Sequence, residues 1–345
     1  MGKLVGWVAL FACLTLAGSI WAISRAPVDA GELWSIISGL PLPTLVLLAV
    51  LCVGIYATDA LRYRSLGAAI NETVTWRAAI DTSVANFFFS WITPGSTFGA
   101  PATIYMLGRR GVSWDAAVVI AFAKAFTGVA VVIVASFVFV VLGLGPAYDG
   151  GVLAVVVFGG AVFAFLFAML IIAAFHPAPA QRVAGRIYGS LGRRFGRGKI
   201  LTAMERVTSR SIERLAMLRT GGVVPLAHLA LTHAIYFATF AGVGVVLLHA
   251  FGHPVNVQAF AAVVVYIAFT YLAPTPGGAG FAEAMALPFF GPLLPPDKAV
   301  MFVLCFRGLT LYLQVGFAIP YMLIVGGSRE IAARSAKKQA ERDAG

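Results

Sequence analysis

The chain has 345 residues, of which 60% are hydrophobic and 11% charged, and a formal net charge of +11. A water-soluble domain of this size carries about 25% charged residues. The composition excludes one and points to an all-α polytopic membrane protein, most of its length consumed by spans of about 20 residues.

The elements follow in chain order. Residues 4–23 are apolar and as long as a span. They lack a small-x-small cleavage site before Arg25, so a retained first helix is expected rather than a signal peptide. A short amphipathic piece is predicted around Leu33–Leu40. A second span is predicted over 42–61, ending at Arg62-Tyr63-Arg64. Residues 78–92 are apolar but too short to cross comfortably. They run into Thr93-Pro94-Gly95-Ser96-Thr97, and a second short piece over 100–108 ends at Arg109-Arg110. Arginines flank both ends, so the segment is predicted to enter, break and return as a re-entrant hairpin over 78–110. The next span, 113–143, carries Lys124. Another covers 151–174 and leads to residues 176–220, which hold ten Lys/Arg against Glu205 and Glu213. This segment reads as a basic cytoplasmic loop on anionic lipid, with no motif for nucleic acid.

The second half repeats the pattern. A span over 223–249 precedes a short apolar piece over 258–273. Thr275-Pro276-Gly277-Gly278-Ala279-Gly280 then breaks the helix, and a return arm runs to about 293. The last span, 299–325, carries Arg307, and a basic tail covers 328–345. The predicted units are thus 42–143 with hairpin 78–110, and 223–325 with hairpin 258–293, in one transmembrane domain spanning 1–345. With both termini in the cytoplasm of a cell whose inner membrane holds the chain, the predicted cytoplasmic segments contain 21 of the 25 Lys/Arg. The expected architecture is about six full transmembrane helices plus two oppositely oriented re-entrant hairpins, an inverted-repeat arrangement.

The two breaks lie about 180 residues apart, and each is followed some thirty residues later by a cation in an apolar helix, Lys124 or Arg307. At 1.5 Å per residue these lie roughly 16 and 14 Å from their respective faces, near the midplane of a core about 30 Å thick. Intramembrane cations are costly and mark functional sites by default. Helix N-termini released by Pro and Gly offer N–H groups to anions. The expected anion site therefore comprises Lys124, Arg307, Thr93, Pro94, Gly95, Ser96, Thr97, Thr275, Pro276, Gly277, Gly278 and Gly280. Asn86 lines it, and Glu283 holds one of the cations when no anion is bound. Replacing Lys124 or Arg307 with alanine is expected to abolish transfer while leaving folding intact. Asp59, Asp81 and Asp115 are expected at the surface or at helix caps. His228 and His233 are expected to be packing residues, and Cys13, Cys52 and Cys305 small core residues. No metal, cofactor or catalytic constellation is predicted, and the chain is read as a non-enzyme.

The string Asn86-Phe87-Phe88-Phe89-Ser90-Trp91-Ile92-Thr93-Pro94, then Gly99-Ala100-Pro101-Ala102 and Tyr105, resembles the lysylphosphatidylglycerol synthase transmembrane, flippase-like family. So do Pro274-Thr275-Pro276-Gly277-Gly278-Ala279-Gly280-Phe281-Ala282-Glu283 and Phe306-Arg307-Gly308-Leu309-Thr310-Leu311-Tyr312, while Lys124 falls where many members have a lysine. The resemblance implies flippase-like translocation of an anionic lipid of phospholipid, glycolipid or polyprenyl-phosphate type, by alternating access. It also implies a lipid-modifying enzyme as a partner. With the chain ending at 345, no soluble aminoacyl-transferase domain and no lipid synthesis are expected. The alternatives are an integral membrane enzyme acting on a lipid phosphate, a small-anion carrier, or an accessory subunit.

Overall fold

The computed structural model describes residues 30–324, apart from positions 94, 149, 197, 221, 222, 272, 274 and 323. The expected span over 4–23, the tail 328–345 and Pro94 of the first break lie outside the described residues. Among those described, all regular structure is helical, without a strand. Four helices are long and apolar enough to cross a membrane: Leu42–Ala69, Trp114–Val141, Ala227–Ala250 and Pro296–Met322.

A short helix α1, Ala30–Ser38, is the predicted amphipathic piece. Leu33 and Ile36 pack on the main core, whereas Trp34 faces outward. Helix α2, Leu42–Ala69, starts with proline in its first turn, where the missing N–H is harmless. It runs a further two turns past the predicted end at Arg62. Helix α3, Trp76–Trp91, is capped by Thr75, whose hydroxyl accepts from Ala78 N at 3.2 Å. The first break interrupts it, and α4, Gly99–Arg109, returns against α3. The hairpin closes tightly because position 99 has no side chain. A Cβ there would stand 2.0 Å from Ser90 Oγ and 3.0 Å from Asn86 Nδ2. Gly99→Ala should therefore splay the arms and destabilise the protein by about 1–3 kcal/mol. A lower thermal midpoint in detergent is the expected result, and an unchanged midpoint would contradict this account of the hairpin.

Helix α5, Trp114–Val141, begins at Ser113, whose N–H and hydroxyl both donate to Glu72, at 3.1 Å each. Arg214 joins Glu72 to Asp115, which lies in the first helical turn after the Ser113 cap and is ion-paired and partly buried rather than a free surface residue. Helix α6, Gly150–Phe175, is nearly all apolar. The expected basic loop is instead a pair of packed helices, α7, Pro177–Phe195, and α8, Lys199–Thr220. Val207, Ser211 and Leu215 recur at helical spacing on the sheltered face of α8, a periodicity masked by the charge count. Tyr188 OH and Thr208 Oγ1 join the pair at 2.7 Å.

Helix α9, Val223–Ala250, packs along α2. His228 and His233 both face neighbouring helices. Their Nε2 atoms lie 3.2 Å from Ser65 Oγ and 2.9 Å from Thr127 Oγ1. Helix α10, Val257–Thr270, is capped by Asn256 and buried along nearly all its length. The return arm after the second break differs from the single piece expected, being two short helices, α11, Phe281–Ala284, and α12, Ala286–Phe290. Helix α13, Pro296–Arg307, passes into a π turn, Gly308–Tyr312, before continuing as an α-helix to residue 322.

The core is aromatic. Tyr266, Phe289, Phe290, Phe302 and Phe306 join α10, α12 and α13, with Phe290 and Phe302 centroids 4.5 Å apart. A separate cluster of Val84, Phe88, Ile92 and Ala318 places α3 against the extension of α13, while α10 lies against α5.

Candidate functional site

Lys124 sits in the middle of α5 and is 6% exposed. Its ammonium has three donors, and each has a partner. Asp59 Oδ1 lies at 2.9 Å and Oδ2 at 3.0 Å, Tyr63 OH at 2.7 Å, and Asn86 Oδ1 at 3.3 Å. Thr103 on α4 closes the network, 3.1 Å from both Tyr63 OH and Asn86 Nδ2. Both arms of the first hairpin are thereby tied to α2 and α5. Asp59 and Lys124 face each other because α2 and α5 pack together.

A second cation joins them. Arg62 is one turn after Asp59 on α2, and its Nη1 donates to Asp59 Oδ1 at 3.0 Å. Its Nη2 donates to the Lys124 carbonyl at 3.3 Å, and its guanidinium stacks 4.3 Å over the Tyr236 ring. It approaches bare backbone at Gly128, where a Cβ would stand 2.4 Å from Nη2. Arg62 Nε is buried and has no hydrogen-bond partner among the described residues. A buried charged donor left in this state is costly unless a ligand or water meets it.

Arg62, Asn86 and Lys124 line a cavity of about 260 Å³. Its other walls are Ser90, Gly95 and Ser96 from the first hairpin, with Tyr236, Phe240, Thr270 and Tyr271 from α9 and the end of α10. Gly95 to Phe98 are exposed, so the first break forms one rim of the cavity. Gly95 and Ser96 hold φ of 55° and 54°, a left-handed pair that turns the chain without helix hydrogen bonds. Thr93 stabilises the turn. Its hydroxyl donates to Phe89 O at 2.6 Å and accepts from Phe98 N at 3.3 Å. Thr97 is exposed within the turn.

The second break is built differently. Arg307, 4% exposed, places Nε 2.7 Å from Glu283 Oε1 and donates from Nη2 to Gly277 O at 2.9 Å. The other Glu283 oxygen accepts from Gly280 N at 2.8 Å, and Tyr312 OH, from the π turn, lies 3.4 Å from Oε1. Gly277, Gly278 and Gly280 take φ of 57°, 69° and 79° to wrap this group. The Pro276 carbonyl accepts from Ala279 N at 2.9 Å. The Thr275 hydroxyl has no hydrogen-bond partner among the described residues.

Several expectations are thereby corrected. Lys124 and Arg307 do not line one cavity, because only Lys124 reaches it. Glu283 does hold one of the two cations, Arg307, but the counter-charge of Lys124 is Asp59, which was expected at the surface or a cap. The N-terminus of α11 is closed by Glu283 itself and is not an open anion site. Asp59 and Asp81 are fully buried rather than at the surface. Asp81 pairs with Arg110 and accepts from Tyr321 OH at 2.5 Å, joining the first hairpin to the end of α13. Arg62 points inward instead of marking a cytoplasmic flank. Of the missed residues, Asp59, Arg62, Tyr63, Thr103 and Tyr236, the first three carried a signal. An Asp-x-x-Arg-Tyr run on one face of an apolar helix predicts an internal ion pair.

Charge separates the two clusters. Arg307 and Glu283 balance. Arg62 and Lys124 share one carboxylate, which leaves, among the described residues, one net positive charge beside the cavity. A buried excess charge favours a ligand of opposite sign.

Comparison with known families gives one finding that covers most of the chain: the family model described as "Lysylphosphatidylglycerol synthase TM region" matches residues 7–318. No curated protein matches the chain.

Proposed function

The chain belongs to the family of the lysylphosphatidylglycerol synthase transmembrane region and is a multi-pass membrane protein; from that premise we propose that it translocates an anionic lipid across the inner membrane. The observation that carries this reading is the cavity with one uncompensated positive charge and one unpartnered guanidinium donor. The phosphate binds at Lys124 and Arg62. The exposed turn at Gly95–Phe98 admits the headgroup, and the acyl chains stay in the bilayer. The site residues of this proposal are Lys124, Arg62, Asp59, Asn86, Ser90 and Ser96. Arg307, Glu283 and the second glycine turn form the framework of the opposite hairpin.

The fuller architecture belongs to the same proposal. It has six spans, with 4–23 and α6 added to the four long apolar helices, two oppositely inserted hairpins, and both termini cytoplasmic. Supporting it is the reciprocal packing of the halves. The first arm of each hairpin lies against the cation-bearing helix of the other unit, α3 on the continuation of α13 and α10 on α5. Helices α2 and α9, which precede the hairpins, pack along each other. Such an arrangement lets one unit rock against the other about a central site. The protein acts as a transporter rather than an enzyme, alongside a partner that modifies the lipid.

The test is leaflet-to-leaflet transfer of a labelled anionic phospholipid in proteoliposomes. Purified protein should accelerate transfer well above protein-free vesicles. Chemical conversion of the lipid without transfer would instead favour an enzyme. Uptake of inorganic phosphate without lipid transfer would favour a small-anion carrier.

A further inference from the structure

We infer that Asp59 sets the charge preference of the cavity, making it selective for a monoanionic phosphodiester over a dianionic phosphate. The inference rests on the anionic-lipid reading and narrows its substrate class.

Asp59 is fully buried and shared by two cations. Its Oδ1 lies 3.0 Å from Arg62 Nη1 and 2.9 Å from Lys124 Nζ. The other groups in the network, Tyr63, Asn86 and Thr103, are neutral and already bonded to one another. The resident carboxylate thus cancels one of two positive charges and leaves one. A ligand with a single negative charge brings the buried site to neutrality. A dianion leaves a buried negative charge without a partner, and burying an unpaired charge is strongly unfavourable. Size acts in the same direction. A volume of about 260 Å³ lies just below the roughly 300–1,000 Å³ of ordinary ligand pockets. A phosphodiester with a short alcohol matches this volume. Geometry identifies the donors. Arg62 Nε has no partner among the described residues, and the 3.3 Å bond from Lys124 to Asn86 is the longest of the ammonium contacts and the first to yield.

The experiment holds the acyl chains constant and varies the headgroup, a charged monoester against a glycerol diester, with the charge-altering variants of Asp59 isolating the part due to charge. Dihexanoyl phosphatidylglycerol, a monoanion, and dihexanoyl phosphatidate are titrated by calorimetry into purified full-length protein. The titrations run at about pH 7, where a phosphomonoester, with a second pKa of about 6, is already mostly the dianion. Wild type should bind the phosphodiester at least about tenfold more tightly, a free-energy gap smaller than that of one buried charge pair. Asp59→Asn, which leaves both cations uncompensated, should reverse the preference. The double variant Asp59→Asn/Lys124→Met again holds one positive charge and should restore it, which keeps the test decisive if the single variant fails to fold. Deacylated glycerophosphoglycerol and inorganic phosphate, titrated in parallel, separate a lipid from a free anion as the source of the charge. Binding of either as tightly as the lipid would assign the site to a soluble anion. Equal affinity of wild type for the two lipids, with both lost in Lys124→Ala, would overturn the charge filter and spare the site. Affinities that Lys124→Ala leaves untouched would overturn the site itself.

Discussion

Lys124→Ala protein, reconstituted in vesicles, should transfer anionic lipid no faster than protein-free vesicles. The lysine supplies the ammonium at the cavity and holds the hairpin through Asn86 and Tyr63. Removing one partner of a desolvated charge pair typically costs about 2–5 kcal/mol, about thirtyfold at the lower bound. The loss should fall on transfer and not on folding. Asp59 retains Arg62 at 3.0 Å, so no carboxylate is stranded, and Asn86 and Tyr63 retain Thr103. The thermal midpoint should therefore shift little while transfer disappears. A variant that transfers lipid at the wild-type rate would remove Lys124 from the mechanism.

Glu283→Gln should behave in the opposite way and destabilise the fold first. Arg307 is buried, and Glu283 is its carboxylate partner in the described structure. The same carboxylate accepts from Gly280 N, so it also organises the glycine turn. Breaking a buried pair by removing one member costs about 3–5 kcal/mol, because the survivor stays buried and uncompensated. The expected result is a large drop in thermal midpoint in detergent, or no recoverable folded protein. Arg307→Ala should act in the same way, contrary to the expectation that it abolishes transfer while leaving folding intact. The double variant Glu283→Gln/Arg307→Met removes both charges and should regain much of the lost stability. A single variant as stable as wild type would show that the pair is not structural.

These opposite expectations for two similar cations mark the boundary of what the primary structure determines here. Long apolar runs specified membrane helices, since lipid leaves the backbone no partner but itself. Thr-Pro-Gly, twice, specified breaks, because proline removes a donor and glycine accepts positive φ. Lys124 and Arg307 were legible as buried cations from their depth alone. All of these depend on residues close together in the chain. The partner of each cation did not. Asp59 lies 65 residues from Lys124, and only the packing of α2 on α5 brings them together. The inward turn of Arg62 likewise followed from α2 continuing beyond it and from the approach of Tyr236 on α9. Tertiary structure therefore decided that one cation is neutralised by a carboxylate from the hairpin of its own unit and the other is left half-compensated beside a cavity. The electrostatic balance of a buried site is a sum over helices distant in sequence, and no local pattern contains that sum.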